Sequence, residues 1–224
     1  MPASPMEKII RILAPLRREF YNRDPREVSP ELLGKILVRR AGRKLIAARI
    51  VEVEAYLGEN DPAAHSAVGC TPRNAVMFGP PGFAYVYFIY GNHYCLNVSC
   101  LPEGIAGAIL FRAAEPLLGM DAMAKARGIT IDAPPSLRNL TSGPGRLAEA
   151  FGITRSRDNG KDFTDRKSGL FIVDDGHGAP QVVTTARIGI TKAADLPLRY
   201  LVAENRFVSG TTRMKSGNSR YNQM

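Results

Sequence analysis

Residues 84–100 of the chain read AYVYFIYGNHYCLNVSC. The first seven residues are rich in β-branched and aromatic side chains, and Gly91-Asn92 is a dipeptide that favours the turn of a β-hairpin. The β pattern resumes from Tyr94 to Cys100. The stretch therefore predicts two antiparallel strands joined at a tip, and it carries the strongest local signal in the chain.

Strands are also predicted on both sides of this hairpin. Residues 36–40 and 45–56 flank a turn at Ala41-Gly42 and predict an earlier hairpin. The apolar run 105–111 predicts the strand that follows. Further strands are expected at residues 170–173, 187–191 and 198–201.

Helices are predicted from their capping residues. Ser29-Pro30 offers a capping hydroxyl and a proline that suits the first helical position. Two later helices, at residues 115–127 and 144–151, are expected to end before Gly128 and Gly152, because glycine favours the position after a helix. The charged, turn-rich stretch that follows Gly152 predicts a loop.

Composition indicates one globular domain with a polyanionic partner. The 224 residues are 45% hydrophobic and carry a net charge of +9. Residues 1–50 contain 12 basic and 5 acidic side chains, residues 51–115 contain 2 and 6, and residues 116–224 contain 16 and 10. This basic frame around an acidic centre suits an enzyme that grips phosphates and uses carboxylates. Ribosome, nucleic acid and anionic membrane all stay open as the polyanion.

No segment predicts a membrane span or a secretory leader. The longest apolar run, residues 105–111, is far shorter than the ~20 residues that span a bilayer. Residues 1–20 lack a small-residue cleavage site after an apolar stretch and instead fit an amphipathic helix. Its inward residues are predicted to be Ile9, Ile10, Leu13 and Leu16. The polar, basic residues 209–224 are expected to be a poorly ordered tail beyond a single domain of residues 1–208.

The three cysteines, Cys70, Cys95 and Cys100, form an odd set without a CxxC motif. This usage favours a reducing cytoplasm and argues against a disulfide framework. On a strand, Cys95 and Cys100 would point to opposite faces and lie ~16 Å apart at ~3.3 Å per residue, so they could not share a zinc ion. We therefore predict no metal and no cofactor, although His65 precedes Cys70 at a similar spacing.

Residues 51–56, VEVEAY, alternate between two faces. The apolar residues occupy the odd positions, whereas Glu52, Glu54 and Tyr56 share the other face of the strand. The spacing alone leaves open whether this polar face meets solvent or forms a site. For Glu52, a solvated or structural carboxylate is the favoured interpretation.

The segment 52–112 contains side chains suited to chemistry on a nucleobase. It has five tyrosines, several carboxylates and only two cations. Hydrolysis of a nucleoside bond needs a carboxylate near the sugar, and the base must be extruded and held between aromatic faces. Tyr90, at the predicted hairpin tip, could pack on a neighbouring strand or be pushed as a wedge between base pairs.

The order of motifs in this segment resembles one enzyme family. The motifs are VEVEAYLG (51–58), AAHS (63–66), TPRN (71–74), YVY with IYG (85–91), CLNVS (95–99), RA with EP (112–116) and SGP (142–144). They resemble the alkyladenine DNA glycosylase family, also called the 3-methyladenine DNA glycosylase or methylpurine glycosylase family. The resemblance runs from about residue 25 to about residue 208.

The resemblance implies roles for individual residues. Glu54 is similar to the general base that activates water, and Arg112 to the arginine that helps to hold that water. Tyr56, His65 and Tyr87 resemble the aromatic clamp around the flipped base, with His65 also supplying hydrogen bonds to it.

Further positions resemble family residues, and two segments differ from the vertebrate enzyme of the family. Asn97 resembles the pocket-floor residue that disfavours the exocyclic amine of guanine, Tyr90 the residue that fills the hole in the duplex, and Arg73 a phosphate-contacting arginine. The vertebrate enzyme has large apolar and aromatic side chains where this chain has Asn92-His93, so the tip should grip less apolar surface. The loop before Thr71 is one residue shorter, which puts phosphate contacts there in doubt.

The elements and the resemblance together imply an α+β fold. We expect a single domain with a mainly antiparallel curved sheet, flanking helices and a protruding β-hairpin. The implied function is that of a monofunctional DNA glycosylase in base excision repair, a cytoplasmic monomer acting on damaged purines in double-stranded DNA. An alkylated, cationic purine leaves readily, whereas hypoxanthine would need protonation. The sequence does not rank these substrates.

Two alternatives compete with hydrolysis by activated water. A lyase-type glycosylase needs an amine nucleophile, but no lysine lies between Lys44 and Lys125. Pro2 could serve only as a processed N-terminus, and neither a following glutamate nor zinc-finger cysteines accompany it. The second alternative is a non-catalytic RNA- or DNA-binding module, for which positive charge and interleaved tyrosines would suffice.

Overall fold

The computed structural model describes residues 3–42, 44–89, 91, 93–131 and 134–210. Eight antiparallel strands form one sheet, which confirms the predicted α+β class. The strands are β1 (Ile36–Ala41), β2 (Lys44–Tyr56), β3 (Ala84–Ile89), β4 (His93–Ser99), β5 (Ala108–Leu118), β6 (Leu170–Val173), β7 (Val182–Thr185) and β8 (Arg199–Val202). Their order is β3-β4-β5-β2-β1-β6, with β8 paired to both β2 and β7. Both predicted hairpins, β1–β2 and β3–β4, are confirmed.

Short helices flank the sheet. They are α1 (Pro5–Ile12), α2 (Arg18–Tyr21), α3 (Pro25–Leu32), α4 (Met120–Arg127), α5 (Pro134–Thr141), α6 (Pro144–Ala150) and α7 (Arg155–Asp158). Between β2 and β3 the chain forms 3-10 turns at Gly58–Asn60, His65–Val68 and Ala75–Phe78. None of the helices in the described part of the chain combines the length and apolar character that a membrane crossing needs.

The main hydrophobic core joins strands β2 to β5 to the helices α3, α4 and α6. A second buried cluster packs Ile10 of α1 against β1 and β6. Ile9, predicted to point inward, is instead 42% exposed. The helix ends at Ile12, two turns short of Phe20, because Pro15 cannot continue it.

Three register shifts interrupt the pairing of β2 with β5, and two of them flank Glu52. The residue pairs beside these two shifts are Val53–Phe111, Glu52–Ala113 and Ile50–Ala114. Val51 and Arg112 are therefore extra residues with no partner in this ladder, as in β-bulges. Val51 packs in a separate cluster from Val53, so the predicted alternation of apolar residues onto one face was wrong at Val51.

The helix predicted to be capped by Ser29 starts five residues earlier. The Asp24 side chain accepts a hydrogen bond from the Arg26 N–H, and Pro25 takes the first helical position. Asp24-Pro25 and Ser29-Pro30 are both a capping residue followed by proline, so local sequence alone did not show which of the two starts the helix. Pro30 lies inside the helix.

Three other boundaries differ from prediction. Strand β5 starts at Ala108 and continues to Leu118, so residues 115–118 are strand and α4 begins only at Met120. The strand expected at residues 187–191 is absent from that described segment, and the strand lies instead at Val182–Thr185. The helix α5 was not predicted. Helix α6 and the strands β6 and β8 agree with prediction to within one or two residues.

Two predictions concern residues that the structure does not describe, or describes only in part. Tyr90 and residues 211–224 lie outside the described residues. Of the predicted tail, Ser209 and Gly210 are described, and Ser209 is buried against β2.

Candidate active site

A cavity of about 370 Å³ lies against one face of strands β3 to β5, beside the end of β2. Its walls come from the 3-10 turns after β2, the β3–β4 hairpin, the start of α6 and the loop after β7. Several predicted site residues meet there, namely Tyr56, His65, Tyr87, Asn97 and Arg112. The volume lies in the range of small-molecule pockets, and aromatic rings form much of the lining.

Three aromatic rings pack together along one wall, and His65 is edge-on to both tyrosines. The ring centroids of His65 and Tyr87 are 4.5 Å apart at 81°, and those of Tyr85 and Tyr87 are 5.6 Å apart. Burial, and then the nearby Cys95 thiol, raise the pKa of Tyr87 well above its usual value. The wall therefore offers uncharged aromatic surface to a flat ring.

His65 lines the pocket and packs against two of its tyrosines. Desolvation, and then the positive charge of Arg73, lower its pKa, so the ring is uncharged at pH 7. Its Nδ1 lies 2.9 Å from the Tyr85 hydroxyl, and the tautomer of the ring decides which of the two atoms donates. Burial raises the pKa of that hydroxyl, although the Arg73 charge opposes the shift.

Glu54 is completely buried behind the pocket wall. Its Oε2 accepts a hydrogen bond of 2.9 Å from the Tyr56 hydroxyl, and its Oε1 accepts one of 2.8 Å from the Ile188 N–H. The Arg112 Nη1 lies 3.1 Å from the same Oε1. Burial and the Glu54 charge raise the pKa of Tyr56 above its usual value, so the hydroxyl stays a donor. Glu54 is thus a buried carboxylate held in place by three donors.

Glu52 shares this buried layer and has its own donors. Its Oε1 accepts from the Arg112 Nε at 2.9 Å, the Arg199 Nε at 2.7 Å and the Ser209 hydroxyl at 2.9 Å. Its Oε2 accepts from the Ser209 N–H at 2.6 Å. Burial disfavours the charge on Arg112, but Glu54 and Glu52 outweigh it and raise the pKa of Arg112. Glu52 and Glu54 on the polar face of β2 therefore belong to one buried ionic layer.

An ion pair that the sequence did not reveal supports Tyr56. Arg187 binds Asp61 through Nη1–Oδ2 and Nη2–Oδ1 contacts of 2.5 and 2.9 Å, and both side chains are fully buried. The Arg187 guanidinium also lies 4.7 Å from the centre of the Tyr56 ring. Nothing in the sequence marks Arg187 as the partner of Asp61.

The remaining predicted residues are Asn97, Arg73 and Tyr90. Asn97 is buried on β4, lines the pocket and donates from Nδ2 to the Tyr85 carbonyl at 3.1 Å. Arg73 is exposed beside the wall, and its charge acts on the Tyr85 hydroxyl. Tyr90 is not described, but Ile89 and His93 on either side of the hairpin tip line the pocket.

Metal-binding side chains do not cluster in the described part of the chain. No three His, Cys, Asp or Glu residues there could hold one ion. Cys95 and Cys100 are both buried and free, and Cys70 is exposed.

Known proteins that match the chain are DNA glycosylases by name. The family model described as methylpurine-DNA glycosylase (MPG) matches residues 19–206. A relative from Koribacter versatilis, named "putative 3-methyladenine DNA glycosylase", is 67% identical over 198 residues, 88% of this chain and 94% of its own. Relatives with the same name from Burkholderia cenocepacia and Alkaliphilus oremlandii are 50% and 44% identical, over 86% and 87% of this chain and 90% and 98% of their own.

These matches and the buried carboxylate beside an aromatic pocket place the chain in the class of DNA-repair glycosylases, which bind DNA and act on its damage. More particularly, the chain belongs to the methylpurine-DNA glycosylase family. The resemblance noted from the sequence motifs is thereby confirmed.

Proposed function

We propose that the chain is a monofunctional glycosylase that flips alkylated or deaminated purines out of duplex DNA and hydrolyses the N-glycosidic bond with water activated by Glu54. The observation that carries the proposal is the setting of Glu54, completely buried behind the pocket and held by Tyr56, Ile188 and Arg112.

The flipped base would lie between aromatic faces. Tyr56, Tyr87 and His65 surround the cavity, and an unstacked purine regains stacking there. A ring N–H of His65 would supply a donor for a ring nitrogen or an exocyclic oxygen of the base. Asn97 at the lining would disfavour the exocyclic amine of guanine, as the family resemblance implies.

Glu54 would act at the sugar of the flipped nucleotide. Departure of the base leaves an oxocarbenium-like sugar, and a nearby carboxylate stabilises that charge and takes a proton from water. Arg112 lines the pocket and touches Glu54, so a water between these two side chains would face the sugar. A cationic alkylated purine then leaves without further acid catalysis.

The lining of the cavity supports hydrolysis over lyase chemistry. No lysine is among the described residues that line it, whereas a Schiff base needs an amine within reach of the sugar. We further propose that Arg73 contacts a phosphate and that Tyr90 fills the gap in the duplex. The enzyme would act as a cytoplasmic monomer without a cofactor.

The test is a base-release assay on duplexes carrying 3-methyladenine, 7-methylguanine, 1,N6-ethenoadenine or hypoxanthine. We expect Glu54→Gln to reduce release by at least about 10²-fold, the scale of a lost general base, with binding within a few-fold of wild type. Glu103→Gln, an exposed carboxylate, should behave as wild type.

Release that survives in Glu54→Gln would refute the role of Glu54. A covalent adduct trapped with borohydride would refute the monofunctional mechanism. DNA binding by a wild-type protein that releases no base from any duplex would favour the non-catalytic binding module instead.

A further inference from the structure

The buried layer contains a second carboxylate with no part in the mechanism above. Glu52 lies two residues before Glu54 on the same strand and is equally inaccessible to solvent. Burying an ion costs several kcal/mol unless other groups compensate for the loss of water. Replacing a buried ion pair by apolar side chains is therefore often neutral or stabilising. A network built around Glu52 at this point therefore calls for an explanation beyond stability.

Every polar edge of the Arg112 guanidinium has a fixed neighbour. Its Nε donates to Glu52 at 2.9 Å, its Nη2 to the Ser209 hydroxyl at 3.3 Å and its Nη1 to the Ile188 carbonyl at 3.5 Å. The Nη1 edge is the one that meets Glu54, at 3.1 Å. Glu52 and Ser209 thus hold the far side of the group, and a single edge is left for Glu54.

We propose, building on the proposed function, that Glu52 is a positioning residue for the reaction, because it keeps Arg112 from pairing fully with Glu54. An arginine and a carboxylate with no competitor form a bidentate pair, which would tie up both Glu54 oxygens. With Glu52 in place, Arg112 divides its charge between two carboxylates, and Glu54 keeps the basicity that water activation needs.

Charge balance in the layer supports this division. Glu52 and Glu54 face Arg112 and Arg199, so two negative and two positive charges cancel. The other titratable or charged groups around Glu54 are Tyr56 on β2, Cys95 on β4 and Arg187 in the loop after β7. Loss of the Glu52 charge leaves Arg112 and Arg199 in excess and favours the ionised form of Glu54.

The test is the pH profile of single-turnover base release. For Glu52→Gln we expect the acid limb to move to lower pH by about one unit, the lower end of the effect of a close charge. The plateau rate should fall about three- to tenfold, because a weaker base drives proton transfer less well. Arg199→Gln removes a positive charge, and its acid limb should move in the opposite direction.

Asp158→Asn is the matched control. Asp158 is also a fully buried carboxylate, and its basic partners are Arg39, Arg157 and Lys161, none of which contacts Glu54. It should lose stability without a shift in the acid limb. An acid limb that stays in place in Glu52→Gln while stability falls as in Asp158→Asn would overturn the positioning role.

A milder change decides the case if Glu52→Gln does not fold. Ser209→Ala removes only the hydroxyl between Glu52 and Arg112, and the plateau rate should fall about two- to tenfold, as for one lost hydrogen bond. A wild-type rate in this variant would then overturn the proposal. Wild-type protein that releases no base would refute the proposed function itself, which separates the two failures.

Discussion

Asp61 and Arg187 form a fully buried ion pair next to Tyr56, and we predict that Asp61→Asn lowers the free energy of unfolding by about 3 kcal/mol. Removal of one partner of a buried pair typically costs about 3–5 kcal/mol, because the other charge stays buried without compensation. Here the lower end applies, since asparagine retains an acceptor oxygen and Arg187 also donates to the Ala55 and Ala193 carbonyls.

The loss should depend on pH. Burial would raise the pKa of Asp61, but its hydrogen bonds, with Arg187 first, outweigh burial and hold the pKa below its usual value of 3.8. A lowered carboxyl pKa adds stability that is complete above the unfolded-state pKa and is lost as the pH falls through the folded-state pKa. The difference between wild type and Asp61→Asn should therefore be constant from about pH 5 to pH 8 and shrink below about pH 4.

Urea unfolding at pH 7 and thermal unfolding measure this loss. At about 2–4 °C per kcal/mol for a chain of this size, the midpoint should fall by about 6–12 °C. Asp174→Asn is the control, because Asp174 pairs with Lys35 at a site 42% exposed and should change stability by less than about 1 kcal/mol. Equal losses in the two variants would show that burial does not decide the strength of these pairs.

Two further predictions concern a backbone constraint and DNA binding. Gly58 has φ +85°, and a Cβ there would lie 2.0 Å from the Ala106 carbonyl oxygen, so Gly58→Ala should lose about 2–3 kcal/mol in urea unfolding. Gly104→Ala, also at positive φ but with open space around it, should lose only about 1 kcal/mol, and equal losses would contradict the contact argument. Arg73→Gln should reduce the slope of log K against log salt by about 0.9 in a binding titration, as for one phosphate contact. Lys8→Gln, on α1 at the side of the sheet that carries β1 and β6, should leave the slope unchanged, and an unchanged slope in Arg73→Gln would refute the phosphate contact.

The two hairpins could be predicted from the sequence because their signals are local. Runs of β-forming residues beside Ala41-Gly42 and Gly91-Asn92 specify strand and turn within about twenty residues. The strand predicted at residues 187–191 was wrong because that prediction also rested on a local signal alone. Its alternating pattern suits a strand, but Arg187 turns inward to Asp61 and the Ile188 N–H turns to Glu54, so tertiary contacts override the local preference.

The site could be predicted only where motifs identified it. Glu54, Tyr56 and Arg112 carried over from the family resemblance, whereas spacing alone left the polar face of β2 open between solvent and site. The groups that complete the layer come from far along the chain, since Ser209 is 157 residues from Glu52 and Arg187 is 126 residues from Asp61. Periodicity within one strand holds no information about such partners.

The irregular pairing of β2 with β5 connects the fold to the chemistry. Regular pairing would set Arg112 directly opposite Glu52, but the bulge gives that position to Ala113. Arg112 is thereby offset toward Glu54, and one guanidinium reaches a carboxylate at each of two successive positions on the polar face. Bulges bend a strand and re-aim its side chains next to active sites. The same irregularity that spoils the sequence prediction at Val51 therefore produces the shared arginine on which both proposals depend.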